Sequence, residues 1–129
     1  MEIVKIPMTI ERQGGKVLLG RVEYNDNLMT DFAQTVEELE TKIKGLLWGF
    51  EKLAPEQVKF ICQYDIYALF QKFDFLKISN VAEHAGMNPG LLRQYVSGAK
   101  SPSEEQVKKI ERTLHKLAEE LKEAIIVTW

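Results

Sequence analysis

Between Val81 and Pro102 the chain reads VAEHAGMNPGLLRQYVSGAKSP. Its small, apolar and turn residues fall at the offsets a helix-turn-helix requires: a small residue where two helices cross, a glycine at the turn, and apolar wedges on both sides. Ala82 stands four residues before Gly86, with Val81, Ala85 and Met87 as apolar contacts before and at the turn. Leu92 and Tyr95 point back from the second helix at three-residue spacing. Asn88 is suited to cap that second helix, Pro89 to open it and Gly98 to end it. Asn88, Gly90, Arg93, Gln94 and Ser97 are left facing outward, and Lys100 and Ser101 follow in the loop. Arg and Gln read guanine and adenine edges through paired hydrogen bonds, while Asn, Ser and Lys suit phosphates. These seven residues are the candidate DNA contacts.

The same offsets occur in ordinary helical hairpins, so the flanks carry weight. Ser103 and Gln106 form a capping box opening a further helix, along which Val107, Ile110, Leu114, Leu117 and Leu121 recur every three or four residues. An earlier helix is expected from about Ile66 to Phe73, with Tyr67, Phe70 and Phe73 on one side. The reading is a bundle of about four helices. The run AGMNPGLLRQYVSGAKSPS resembles the turn, recognition helix and following loop of phage-repressor-like (Xre/Cro-like) helix-turn-helix domains. It departs from them at Ile78, where a phosphate-holding Gln is usual, and in having a single outward arginine on the recognition helix.

Composition bounds the alternatives. A chain of 129 residues with 45% hydrophobic residues is expected to fold, as one average domain or two small ones. No apolar run approaches twenty residues, and the start MEIVKIPMTIE has acids too early for a signal peptide. With Cys62 alone there is no internal disulfide framework, and a cytoplasmic protein is expected. Net charge is −2. Residues 77–123 carry eight Lys or Arg against seven Asp or Glu, so non-specific DNA affinity is weak and binding as at least a homodimer on a two-part operator is expected.

The first half follows another grammar. Val4, Ile6, Met8 and Ile10 alternate as in a strand, Gln13 to Gly15 turns, Lys16 to Tyr24 is β-prone, and Asn25 to Asn27 turns again. A third strand covers Leu28 to Ala33. Thr35 with Glu38 then forms a capping box, followed by Val36, Leu39, Ile43, Leu46, Phe50 and Leu53 on one helical face, ended by Pro55. Val58, Phe60, Cys62 and Tyr64 alternate as a fourth strand. The expected class is α+β: a β-β-β-α-β sheet domain over 1–64, then an all-α helix-turn-helix domain over 65–129. A mainly antiparallel sheet with one helix across it leaves its other face to find a partner.

That order, the TVEEL helix start and a C-terminal DNA-binding domain together resemble HicB-like antitoxins. The resemblance implies a partial, degraded RNase H-like N-terminal domain that occludes a small RNA-cleaving HicA-like toxin, and a helix-turn-helix that represses the shared operon. The sequence departs at Ala33, where Gly is common, and at Gly14, Gly15, Lys16 in place of Gly-Tyr. Residues 1–64 carry ten acids against eight bases, a mildly acidic surface suited to a basic partner. Asp26, Asp31, Glu37 and Glu38 are the candidate partner contacts, although turn formation and helix N-terminal charge account for them equally.

Catalysis, metal and cofactor are not expected. The acids Glu11, Glu23, Asp26 and Asp31 lie near turns or on strands without a convergent pattern. His84 and His115 have no ligand-spaced partner. Cys62 is read as core, Trp48 as packing or a partner contact, and the β-prone tail AIIVTW as docked on another surface. Three classes stay open: an antitoxin that also regulates transcription, a DNA-binding regulator whose sheet domain takes another partner or ligand, and an interaction protein that keeps the fold without binding DNA.

Overall fold

The computed structural model describes residues 1–129. The class is α+β: one four-stranded mixed sheet and five α-helices. The chain divides into two compact units, Met1–Phe73 and Asp74–Trp129.

In the first unit, strands β1 (Val4–Gly14), β2 (Val17–Tyr24), β3 (Asn27–Ala33) and β4 (Val58–Tyr64) lie in the order β3-β2-β1-β4. The β1–β2 and β2–β3 pairs are antiparallel hairpins, and β1–β4 is parallel, a pairing that requires the long connection through α1 that precedes β4. The β2–β3 turn places Asn25 and Asp26 at φ 49° and 63°, left-handed backbone that Asn and Asp tolerate in tight hairpins. Alternation sends Ile6, Met8, Ile10, Leu18, Val22 and Met29 to one face, where all are buried.

Helix α1 (Val36–Glu51) covers β2 and β3 on that face. Thr35 caps it, its hydroxyl accepting from the Glu38 amide at 3.1 Å. Val36, Leu39, Ile43 and Leu47 are buried. The expected stripe is corrected at two places, because Leu46 is only partly covered and Phe50 is exposed. The helix also stops before Pro55: Lys52 takes φ 56° and its amide bonds back to the Leu47 and Trp48 carbonyls, a left-handed C-cap. Pro55 instead opens a single 3₁₀ turn, Pro55–Gln57, leading into β4.

Helix α2 (Ile66–Lys72) belongs to the sheet unit, so the second unit holds three helices where about four were expected. Asp65 is the reason. Its carboxylate caps α2 through the Ala68 amide at 2.8 Å and also accepts from the Arg12 amide at 2.8 Å, while its own amide donates to the Ile10 carbonyl. The helix thus starts fastened to β1, Ala68 joins the sheet core, and Tyr64 meets Phe73 edge-on at 5.9 Å.

The second unit consists of α3 (Ile78–His84), α4 (Pro89–Ser97) and α5 (Glu104–Glu123). Val81, Ala82, Ala85, Leu92 and Ile110 are its buried apolar residues. The tail after Glu123 has no regular secondary structure, and no surface of the chain itself covers its apolar side chains. No helix is long and apolar enough to cross a membrane.

Candidate nucleic-acid interface

Helices α3 and α4 pack closely, and the residues joining them explain why. Ala82 is fully buried, so its small side chain admits the neighbouring helix, and Gly86 takes φ +67° to reverse the chain. Asn88 then caps α4, its Oδ1 accepting from the Gly90 amide at 2.7 Å and the Leu91 amide at 3.3 Å. Pro89 occupies the first turn, where its missing N–H costs nothing. Leu92, also fully buried, fixes which side of α4 faces in. The other end is closed by Gly98 at φ 84°, whose amide bonds the Tyr95 carbonyl at 3.2 Å.

This fixes the outer face. Gly90, Arg93, Gln94 and Ser97 follow at i, i+3, i+4 and i+7, one stripe along the helix. Arg93, Gln94 and Ser97 are exposed, and Gly90 is half-covered. The following loop is held to the same end of the helix. The Lys100 amide donates to the Gln94 carbonyl at 3.2 Å, and the Ser97 hydroxyl accepts from the Ala99 amide at 3.3 Å. Lys100 and Ser101 are exposed beside it. No salt bridge joins Arg93 or Lys100 to an acid of the chain. The structure thus brings together Arg93, Gln94, Ser97 and the Lys100 loop. Asn88 differs, because its side-chain oxygen is committed to the cap and only its NH₂ is free to donate outward.

The four acids on the sheet unit are not brought together. Asp26 is in the β2–β3 turn, whose neighbours Asn25 and Asn27 donate to the Glu51 carboxylate at the far end of α1. Glu37 and Glu38 lie in the first turn of α1, about 20 Å away at 1.5 Å per helical residue. Asp31 accepts from the Phe32 amide at 2.8 Å and faces the Lys42 ammonium at 3.9 Å. Glu37 pairs with Lys72, a hydrogen bond that holds its carboxyl below the usual carboxylate range and raises the lysine. Glu38 lies 3.5 Å from the Gln34 amide, reaching the residue before the cap rather than Thr35 itself. Glu11, a candidate metal-binding acid, pairs with Arg21 at 3.2 Å. No three His, Cys, Asp or Glu side chains stand close enough to hold a metal ion.

The face of the sheet away from α1, left for a partner by the sequence pattern, carries apolar residues that the sequence did not single out. Leu28 and Phe32 on β3 and Ile61 on β4 are exposed there, and the cross-strand register sets Phe32 beside Leu19 and Ile61 beside Pro7. Period-two spacing of Leu28, Thr30 and Phe32 was the available signal. Cys62 is half-buried and packed against the core, with Sγ 3.8 Å from the Glu40 carboxylate, and burial pushes both its thiol and the Tyr64 phenol upward. Trp48 is half-exposed, with the Lys52 ammonium 6.0 Å from its ring centroid. No protein-family model, curated protein or solved structure matches the chain.

Proposed function

We propose that the chain is a DNA-binding autoregulator of the HicB-like antitoxin type, with α3 and α4 as a helix-turn-helix and α4 as the recognition helix. The observation that carries this is the exposed stripe Arg93, Gln94, Ser97 on a helix capped at both ends, with Lys100 tied beside it. Arg and Gln offer bidentate base contacts and Lys100 a phosphate contact. With eight bases against seven acids over residues 77–123, a single copy supplies little counterion release, so operator binding requires at least a homodimer.

In this reading the first unit is a partial RNase H-like domain that occludes a small basic RNA-cleaving toxin. Two of the four candidate acids, Asp31 and Glu37, already hold lysines of the same unit. That favours the open sheet face around Leu28, Phe32 and Ile61 as the partner surface over a converging acidic patch. The same face serves the second reading, a regulator whose sheet domain takes a different partner.

The test titrates the protein's own promoter fragment at several salt concentrations. Arg93→Ala is expected to cost about 1–3 kcal/mol of specific binding. Lys100→Ala is expected to weaken all sequences alike and reduce the salt slope by about one. Wild-type affinity for Arg93→Ala at matched salt would remove α4 as the reader. Co-purification of the full chain with the product of the adjacent small gene tests the toxin; failure to form a complex leaves the second reading.

A further inference from the structure

The C-terminal end of α4 closes in an unusual order. When a helix ends on a left-handed glycine, two amides usually return to its last turn: that of the glycine and that of the residue after it. Gly98 makes the first of these bonds, its amide donating to the Tyr95 carbonyl at 3.2 Å. Ala99 does not make the second. Its amide donates to the Ser97 hydroxyl at 3.3 Å, and the Gln94 carbonyl left over accepts from the Lys100 amide at 3.2 Å. The Ser97 hydroxyl donates its own proton to that same carbonyl, also at 3.2 Å.

A serine hydroxyl has one proton and two lone pairs. The proton of Ser97 is spent on Gln94, so toward DNA this side chain has none to offer a phosphate oxygen. Its place in the outward stripe calls for another role. The loop beside it has little packing to hold it: Gly98, Ala99, Lys100 and Ser101 are all exposed, between half-buried Val96 and Pro102. Its shape rests on hydrogen bonds, and the Ser97 hydroxyl takes part in two of the four just named.

We propose that Ser97 is a positioning residue for Lys100: by taking the Ala99 amide it reserves the Gln94 carbonyl for Lys100 and so sets where the lysine stands beside the recognition helix. The phosphate contact then hangs from the backbone of Gln94, whose side chain reaches for a base edge. Spacing between the phosphate-binding and base-reading groups is set by one peptide group and not by a free loop. Without the hydroxyl, the Ala99 amide returns to Gln94, the helix closes in the usual way and Lys100 is released. The inference deepens the DNA reading above and rests on it for the phosphate contact, whereas the exchange of hydrogen bonds at Gln94 belongs to the free protein.

The first measurement is amide exchange by NMR on the full chain without DNA. In Ser97→Ala the Lys100 amide is expected to exchange about tenfold faster than in wild type, while the Ala99 amide stays protected through its new carbonyl partner. Ser97→Thr keeps a hydroxyl able to bond the carbonyl three residues back, and exchange like wild type is expected. The second measurement titrates the promoter fragment and a scrambled fragment of equal length over a range of salt. Ser97→Ala is expected to weaken both by the same factor and to lower the salt slope toward that of Lys100→Ala, about one less than wild type. Added to Lys100→Ala, it is expected to change affinity less than about twofold. Ser97→Thr is expected to keep the slope of wild type. Unchanged Lys100 exchange in Ser97→Ala overturns the latch. A loss confined to the promoter fragment makes Ser97 a base contact, and losses that multiply in the double variant make it independent of Lys100; either overturns the proposal. A wild-type chain that binds neither fragment removes the DNA reading, and the exchange data still decide the latch.

Discussion

Gly20 sits at the centre of β2, opposite Ile10 on one side and Asp31 on the other, directly beneath α1. A Cβ built there lies 3.1 Å from Ile43 Cδ1 and 3.1 and 3.2 Å from the two methyls of Leu39. Both neighbours are fully buried, so a few tenths of an ångström must come from packed side chains. Removing a strand glycine gains about 0.5–1 kcal/mol, while forcing a methyl into a filled core costs about 1–3 kcal/mol. The second effect wins, and Gly20→Ala is expected to destabilise the first unit by about 0.5–2 kcal/mol. Leu39→Ala alone costs about 2–5 kcal/mol. In the double variant the new methyl occupies part of the vacated space, so the two effects combine to less than their sum by at least about 0.5 kcal/mol. Urea unfolding followed by Trp48 fluorescence in a Trp129→Phe background isolates the unit that holds α1. A stabilised Gly20→Ala, or additivity within about 0.3 kcal/mol, would refute the close approach.

Asp65→Ala removes the α2 cap and leaves the Arg12 amide without its acceptor, so a loss of about 2–4 kcal/mol is expected. Asp65→Asn, which keeps an acceptor oxygen, should lose less in the same urea assay. The Glu37–Lys72 pair has a depressed acid and a raised base. Its contribution is therefore present between the ordinary carboxylate and lysine ranges, is lost as pH falls through the Glu37 value, and is lost again as pH rises through the raised Lys72 value. With side chains 64% and 27% exposed, solvent screening keeps it within about 1 kcal/mol. Lys72→Met should thus lower the urea midpoint slightly at neutral pH and match wild type in acid below the carboxylate range; a gap that persists there would show that the lysine acts through packing.

Legibility followed periodicity. The alternation of Val58, Phe60, Cys62 and Tyr64 marked β4, and the capping box at Thr35 marked the start of α1. The choice between Leu46 and Leu47 was decided by geometry: eleven residues from Val36 return within about 20° of three full turns, whereas ten fall about 80° short. Lys52 carried no sign of a C-cap, because the residue that takes left-handed backbone there is neither Gly nor Asn. The aromatics of α2 announced a helix but not its neighbour, which was settled by Asp65 reaching Arg12, a contact 53 residues apart in sequence. On α4 the outward stripe was legible because Asn88 and Gly98 fix both ends and Leu92 fixes the rotation. The scattered acids were not, since pairing to Lys42 and Lys72 depends on tertiary contacts that local sequence does not encode.

The parallel pairing of β1 with β4 has a consequence for biosynthesis. Val4 aligns with Val58, so one edge of the first strand waits until the fourth has left the ribosome, roughly 3–10 s later at 5–20 residues per second. During that interval β1, β2 and β3 can form only a meander with a bare edge, the kind of surface on which nascent chains aggregate. Completion comes when Asp65 emerges and closes onto Arg12. A fragment ending at residue 64 therefore stops one residue short of its own latch, and a separately folding first unit has to be cut after Phe73.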